Sequence, residues 1–303
     1  MVQRRFNDFV RIVKPDLIHA HNVIAAKAAK ESGVPMVYDD HEFWSMWMKA
    51  ELGNWPRDFL AHPRKARASI TRLYAARLWT RWESEIVPVV PTIAVCDATA
   101  RAHEKNGGHV FVVPNLPSTL EINSIPPPRL KGAPLSTAIV GNDFSSPMKT
   151  RESWGVLDLF ANNLLGELLV IGETRPISSR NVRSMGFVDH LAMLRELTLH
   201  HIGLIPWKPH WFHKFYSPNK AYEYMHAGLI PVFPSGLQQV VDYSRGMGYA
   251  FSDYEELRQI LTSLSNNVSN LQDSRNNIQE YARRELCWER FEKRIFEAYS
   301  QAS

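Results

Sequence analysis

Between Pro114 and Pro134 the chain carries six prolines, three of them consecutive at Pro126, Pro127 and Pro128. On both sides of this break, short apolar runs alternate with segments of helical composition. Before it, strands are expected at 16–20, 36–38, 92–96 and 110–113, and helices at 6–13, 23–32, 63–85 and 97–106. After it, strands are expected at 137–140, 168–171, 201–205 and 229–233. Helices are expected at 154–162 and 189–197, and a mostly helical tail runs from 254 to 299. Alternation of this kind dictates parallel sheets covered by helices, because a parallel crossover needs a helix to return the chain. A proline cluster is poor material for either element, so the break reads as a linker. The expected fold class is therefore α/β, with two units of similar architecture, each a parallel sheet wound with helices.

Composition narrows the class further. The chain has 303 residues, the usual length of two domains. Its 45% hydrophobic and 22% charged content is that of an ordinary globular protein. Thirty-five basic against 31 acidic residues leave +4, too little to argue for nucleic acid as a partner. Cys96 and Cys287 supply neither a disulfide framework nor a metal motif and fit a reducing compartment. No apolar run approaches the length of a membrane span, and the start reads as a helix rather than a signal peptide. The expected location is cytoplasmic. The basic stretch from Arg64 to Arg81 raises peripheral contact with the inner membrane surface, against the plainer reading of a solvated helix over the first domain.

The most informative stretch is Ser217-Pro218-Asn219-Lys220-Ala221-Tyr222-Glu223-Tyr224-Met225-His226-Ala227-Gly228, followed by the apolar run to Phe233. Ser217 is expected as N-cap and Pro218 at the first helical position. A helix start at a strand–helix–strand crossover is an anion site, since free backbone N–H groups and the helix dipole point outward. Lys220 adds a mobile positive charge in the first turn. Glu223, one turn on, is placed to accept hydrogen bonds from sugar hydroxyls. Phosphate cradle and ribose acceptor together describe a nucleotide-sugar site. Ligands of open α/β sheets bind beyond the carboxyl ends of the strands. The loops after Val140, Ile171, Phe187 and Ile205 are therefore expected to converge on this helix.

Several other segments sharpen the reading. Lys14-Pro15-Asp16-Leu17-Ile18-His19-Ala20-His21-Asn22, Val37-Tyr38-Asp39-Asp40-His41-Glu42, Val113-Pro114-Asn115, Gly186-Phe187-Val188 and the 217–232 motif occur in the order and spacing of one family. With Trp288 and the helix to Tyr299, they resemble glycosyltransferases of the GT-B architecture, in particular the retaining family four. The resemblance implies two facing Rossmann-like domains with boundaries near 1–118 and 119–284, and a helix at 285–303 crossing back to the first. It implies transfer of a sugar from a nucleotide-diphosphate sugar to a hydroxyl on a glycan or lipid-linked acceptor, with retention. No metal and no cofactor are expected beyond that co-substrate, and the sequence holds no Asp-x-Asp motif. Domain closure is expected to bring His41 to the reacting sugar. Lys149 and Lys220 are expected on the diphosphate, helped by Arg151 or Lys214. Gly141, Phe187, Val188, Ser217, Asn219 and Glu223 complete the expected donor site.

The sequence also departs from the family. Phe215 stands where a second glutamate is usual, and Asn142-Asp143 follow Gly141 where an arginine is usual. The family's first strand and glycine-rich loop are not found, so the first domain is expected to be truncated at its N-terminus, with a partner chain as one source of the missing half. A nucleotide-sugar-binding subunit or inactive homologue needing a partner for the missing half, or a hydrolase or epimerase using His41 with Asp39 or Asp40, are the alternatives. His19, His21, Asp39, Asp40 and His41 also permit a metal reading, set aside because they lack the further partners of a hydrolase metal motif. His19 and His21 are assigned to opposite sides of their strand. The aromatic loop 206–216 is open between ligand stacking and loop packing.

Overall fold

A computed structural model describes residues 2–52, 66–129, 132, 134–141, 143–146, 148–162, 165–174 and 177–302. The chain forms two compact units, residues 1–114 with 291–303, and residues 115–290.

The first unit holds four parallel strands in the order β1-β2-β3-β4: Ile18–His21, Met36–Asp40, Thr92–Ala94 and Val110–Val112. Alternation along each strand sends neighbouring side chains to opposite faces. One face carries Ala20, Met36 and Tyr38, which pack with Val23, Ala26 and Ala29 of helix Asn22–Ser32 and with Ile86 at the end of helix Ala66–Ile86. The other carries Val37, Ile93 and Phe111, which pack with Ala298 and Tyr299 of the C-terminal helix Glu292–Ala302. That helix is amphipathic, and its apolar stripe belongs to this sheet. The expected helix at 63–85 is described from Ala66 onward; Arg64 and the side chain of Arg67 lie outside the described residues. Along it Ala76, Glu83 and Ile86 are buried, while Ile70, Tyr74 and Arg81 are exposed.

The second unit holds β5 (Ser136–Val140), β6 (Glu167–Ile171), β7 (Ser178–Ser179), β8 (Val182–Met185), β9 (Ile202–Leu204), β10 (Ile230–Pro234) and β11 (Tyr249–Phe251). Their order is β11-β10-β9-β5-β6-β8-β7, all parallel except the short β7 at the edge. The chain runs outward from β5 through β6 to β8, returns to β9 on the other side of β5, and runs outward again. This is a doubly wound sheet, and its direction reverses between β5 and β9. Those two strands pair only at Thr137–Ile202 and Ala138–Gly203, then part. Tyr224 fills the gap: its hydroxyl accepts from the Val140 N–H at 2.9 Å and donates to the Leu204 carbonyl at 3.2 Å.

Candidate functional site

Helix Asn219–His226 begins at this reversal. Its N-cap is Pro218, not Ser217, and no side chain caps it. The expected cap is absent because the Ser217 hydroxyl is buried against the Tyr222 hydroxyl, 2.8 Å away. The first-turn N–H groups are thereby left without the usual side-chain acceptor. Asn219 is exposed at this helix start.

Lys220 is not mobile. Its ammonium donates to Asp143 Oδ2 at 2.7 Å, with the two side chains 13% and 3% exposed. It also lies 5.2 Å from the centre of the Trp207 ring, which Arg151 approaches at 5.5 Å. Such cation–aromatic contacts strengthen when shielded from water. Asp143, of the Asn142-Asp143 pair that departs from the family pattern, is thus the counter-ion that fixes Lys220. Gly141 makes the approach possible. It has φ of 120°, and a Cβ there would lie 2.9 Å from the Lys220 ammonium. Arg151 Nε and Trp207 Nε1 are buried N–H groups without a hydrogen-bond partner among the described residues.

One turn along, Glu223 is buried and its Oε1 lies 3.2 Å from His190 Nε2. His190 opens helix His190–Leu197, whose N-cap Asp189 accepts from the Ala192 N–H. The bond to Glu223 holds the His190 pKa above the ordinary histidine value, against the opposing effect of burial, and the charges of Glu223 and Glu121 add to the rise. Phe187 and Val188, just before this helix, are exposed, Phe187 by 74%. The carboxyl ends of β5, β8 and β9 therefore deliver their loops to the helix, and Gly172, after β6, lies against Gly141. Lys149 stands exposed at the start of the 3-10 turn Lys149–Arg151. Sequence reasoning missed His190, although its place directly after Gly186-Phe187-Val188-Asp189 marks it as the first residue of a helix at a strand end.

The aromatic loop resolves toward packing. Trp207, Phe212, Phe215 and Tyr216 are buried, as is His213, which bonds the Thr150 carbonyl through Nε2 at 2.8 Å. Trp211 stays exposed.

The first unit gathers its own cluster at the strand ends. His19 and His21 are two residues apart and therefore share a face, contrary to the opposite-side assignment. His21 is in register with Asp39 on β2. The Asp39 Oδ2 atom has His19 Nε2 at 2.8 Å, and His21 Nδ1 and His41 Nε2 each at 3.2 Å. The three imidazoles form a row, with ring centres 4.7 Å and 5.1 Å apart. Burial pushes the Asp39 carboxyl up, but the hydrogen bonds from His19 and His41 outweigh it and bring the pKa down to about 2. His41 is raised by its bond to Asp39. Asp40 faces the other side, where His103 Nε2 lies 2.6 Å away and both side chains are fully buried. Of the two aspartates considered for chemistry with His41, it is Asp39 that His41 meets.

No family profile and no curated protein sequence matches the chain. Solved structures do. Sucrose-phosphate synthase from Thermosynechococcus elongatus superposes with a TM-score of 0.72 at 15% identity, over 99% of this chain and 77% of that one. HepE of Anabaena, solved in complex with UDP-glucose, gives 0.64 at 16% identity, over 99% and 82%. Trehalose 6-phosphate synthase from Burkholderia multivorans gives 0.62 at 12% identity, over 99% and 75%. The fold is GT-B. The superposed proteins are glycosyltransferases of two Rossmann-like domains, and identities this low carry the GT-B fold alone. No helix among the described residues of this GT-B chain is long and apolar enough to cross a membrane.

Proposed function

We propose that the chain is a glycosyltransferase that moves a sugar from a nucleotide-diphosphate sugar to a hydroxyl on a glycan or lipid-linked acceptor. The observation that carries this reading is the meeting, at the sheet's reversal point, of an uncapped helix start, a fixed Lys220 and a Glu223 held by His190. In the reaction the leaving diphosphate gathers negative charge. The Asn219 and Lys220 N–H groups, the Lys220 ammonium and the nearby Arg151 meet it as groups already in place, so little reorganisation is needed as the bond breaks. Lys220 has three N–H donors and spends one on Asp143, which leaves two for phosphate oxygens. Glu223 accepts from the ribose hydroxyls, and the His190 bond sets the orientation of its carboxylate. The Phe187 and Val188 backbone meets the base, and Lys149 reaches the diphosphate from the loop after β5. The diphosphate is neutralised by these cations without a metal ion. His41 keeps its assignment to the reacting sugar, and retention follows from the resemblance. UDP-glucose bound to HepE makes uridine nucleotides the first donors to try.

Calorimetry with a panel of nucleotide sugars tests the reading. One donor is expected to bind at one per chain, and Glu223→Ala is expected to weaken it by about tenfold to a hundredfold, the worth of one or two charge-assisted hydrogen bonds. Unchanged affinity in that variant removes the ribose assignment.

A second reading has the chain as a nucleotide-sugar-binding subunit. It draws on β1 being an edge strand among the described residues, where another chain could add strands. Light scattering of the purified chain with its native partners separates the two.

A further inference from the structure

We propose that His19, His21 and Asp39 form a binding site for a divalent transition ion, zinc in the first place, held by His19 Nε2, His21 Nδ1 and Asp39 Oδ2 with water in the fourth position. One ligand atom from each of the three residues lies within 4.8 Å of the other two. A tetrahedral zinc ion about 2.0–2.2 Å from each ligand sets its ligand atoms roughly 3.3–3.6 Å apart. The oxygen-to-nitrogen separations of 2.8 and 3.2 Å already approach that spacing, so small rotations of the rings complete it.

Three features separate this cluster from a plain hydrogen-bonded carboxylate. First, Oδ2 faces three imidazole nitrogens while Oδ1 of the same group is buried with no partner among the described residues. A carboxylate has about four acceptor sites over two oxygens, and leaving one oxygen shut from water without a partner is costly. A cation bound to the carboxylate offsets that cost by direct attraction. Second, the outer contacts are those of a ligand histidine. His19 Nδ1 lies 2.8 Å from the Tyr299 hydroxyl, which fixes the ring with Nε2 toward Asp39. His41 Nε2 bonds the same carboxylate from the loop after β2 and orients it. Third, the ligands stand on adjacent, hydrogen-bonded parallel strands, and the His21 side chain is 61% exposed, which gives an ion a way in. Two imidazoles and one carboxylate suit zinc, copper or nickel rather than magnesium or calcium, whose sites are built from oxygen. Three protein ligands with one position open is the pattern of a zinc site that also holds water.

The proposal does not depend on the donor assignment, because every ligand lies in the first unit and the test reads metal directly. The full chain, stripped with chelator, is titrated with zinc chloride by calorimetry and weighed by native mass spectrometry. One ion per chain is expected. His21→Ala is expected to weaken zinc by at least about a hundredfold, since even outer-sphere losses cost tenfold to a hundredfold. The exposed His21 ring makes that variant safe for folding. Zinc is also expected to raise the melting temperature of the parent and not of the variant. Failure to bind one ion, or equal affinity in parent and His21→Ala, overturns the proposal.

Discussion

The ring of Tyr224 occupies the space that any side chain on Gly203 would need: a Cβ there would come within 2.2 Å of the ring. The glycine on β9 and the tyrosine on the following helix are thus one device. Together they let the helix lie close over the reversal point while the tyrosine hydroxyl joins β5 to β9.

Gly203→Ala is expected to destabilise the chain by about 1–3 kcal/mol or more, the range of forced overpacking. Tyr224→Phe keeps the packing but orphans the Val140 N–H and takes a donor from the Leu204 carbonyl. Its expected cost is about 1–3 kcal/mol. Urea midpoints at constant slope measure both. A neutral Gly203→Ala would show that the helix is free to move away.

Lys220 and Asp143 form a buried pair, so breaking it from one side strands a charge. Lys220→Met is expected to cost about 3–5 kcal/mol, and the double variant Lys220→Met/Asp143→Asn clearly less. Chemical unfolding of the four proteins in the cycle gives the coupling. In parallel, calorimetry of the folded double variant is expected to show weaker nucleotide-sugar binding, because the ammonium is gone whatever the stability.

Arg275 is fully buried and spends its guanidinium on three backbone carbonyls and on Gln272 Oε1, 3.2 Å away. It donates to Gly228 at 3.0 Å, Arg129 at 2.8 Å and Thr198 at 2.8 Å. Burial lowers its pKa to about 10, which leaves it charged at neutral pH. Arg275→Met preserves much of the volume and removes all four bonds. A loss of roughly 3 kcal/mol or more is expected, since charge-assisted bonds are worth about 1.5–3 kcal/mol each and the carbonyls are left short of partners. A thermal melt with calorimetric detection reads it.

The two units are expected to answer pH in opposite senses. In the second, burial lowers His213 and His226 from 6.5 to about 4, despite their bonds to the Thr150 and Leu286 carbonyls. Between those values the unfolded chain takes up protons that the folded chain refuses. Stability is therefore lost as pH falls through the window, by up to about 3 kcal/mol for each histidine. In the first unit, burial and then the charge of Asp40 raise Glu83 from 4.5 to about 7, against the pull of Ser45 and His103. The folded state keeps that proton where the unfolded state has lost it, so stability is lost as pH rises from 4.5 to about 7. Hydrogen exchange followed by peptide across pH 4–7 is expected to show the 115–290 unit loosening at the acid end. The first unit is expected to tighten there, and Glu83→Gln to flatten that trend.

Local chemistry made much of this legible. Gly141, Gly172 and Gly228 punctuate the second unit where strands and a helix end, and all three have positive φ. The helix at 219–226 and the loops gathered around it follow from strand–helix alternation and the rule that ligands meet strand ends. The error at its start was one residue, because Ser217 and Pro218 both favour a helix boundary and only the burial of Ser217 on Tyr222 decides between them. His19 and His21 were misassigned although a period of two already places them on one face.

What the sequence determined by itself was the order of elements: short apolar runs must be buried, and their spacing by helical segments allows only parallel crossovers. What only the tertiary structure decided was the choice of electrostatic partner. Asp143 lies 77 residues before Lys220, Glu223 lies 33 residues after His190, and Asp39 gathers histidines from its own strand end and from a neighbouring strand. Burial patterning repeats along a chain and can be read from it. A charge selects whichever opposite or polar group is nearest in three dimensions, and no local periodicity records that distance.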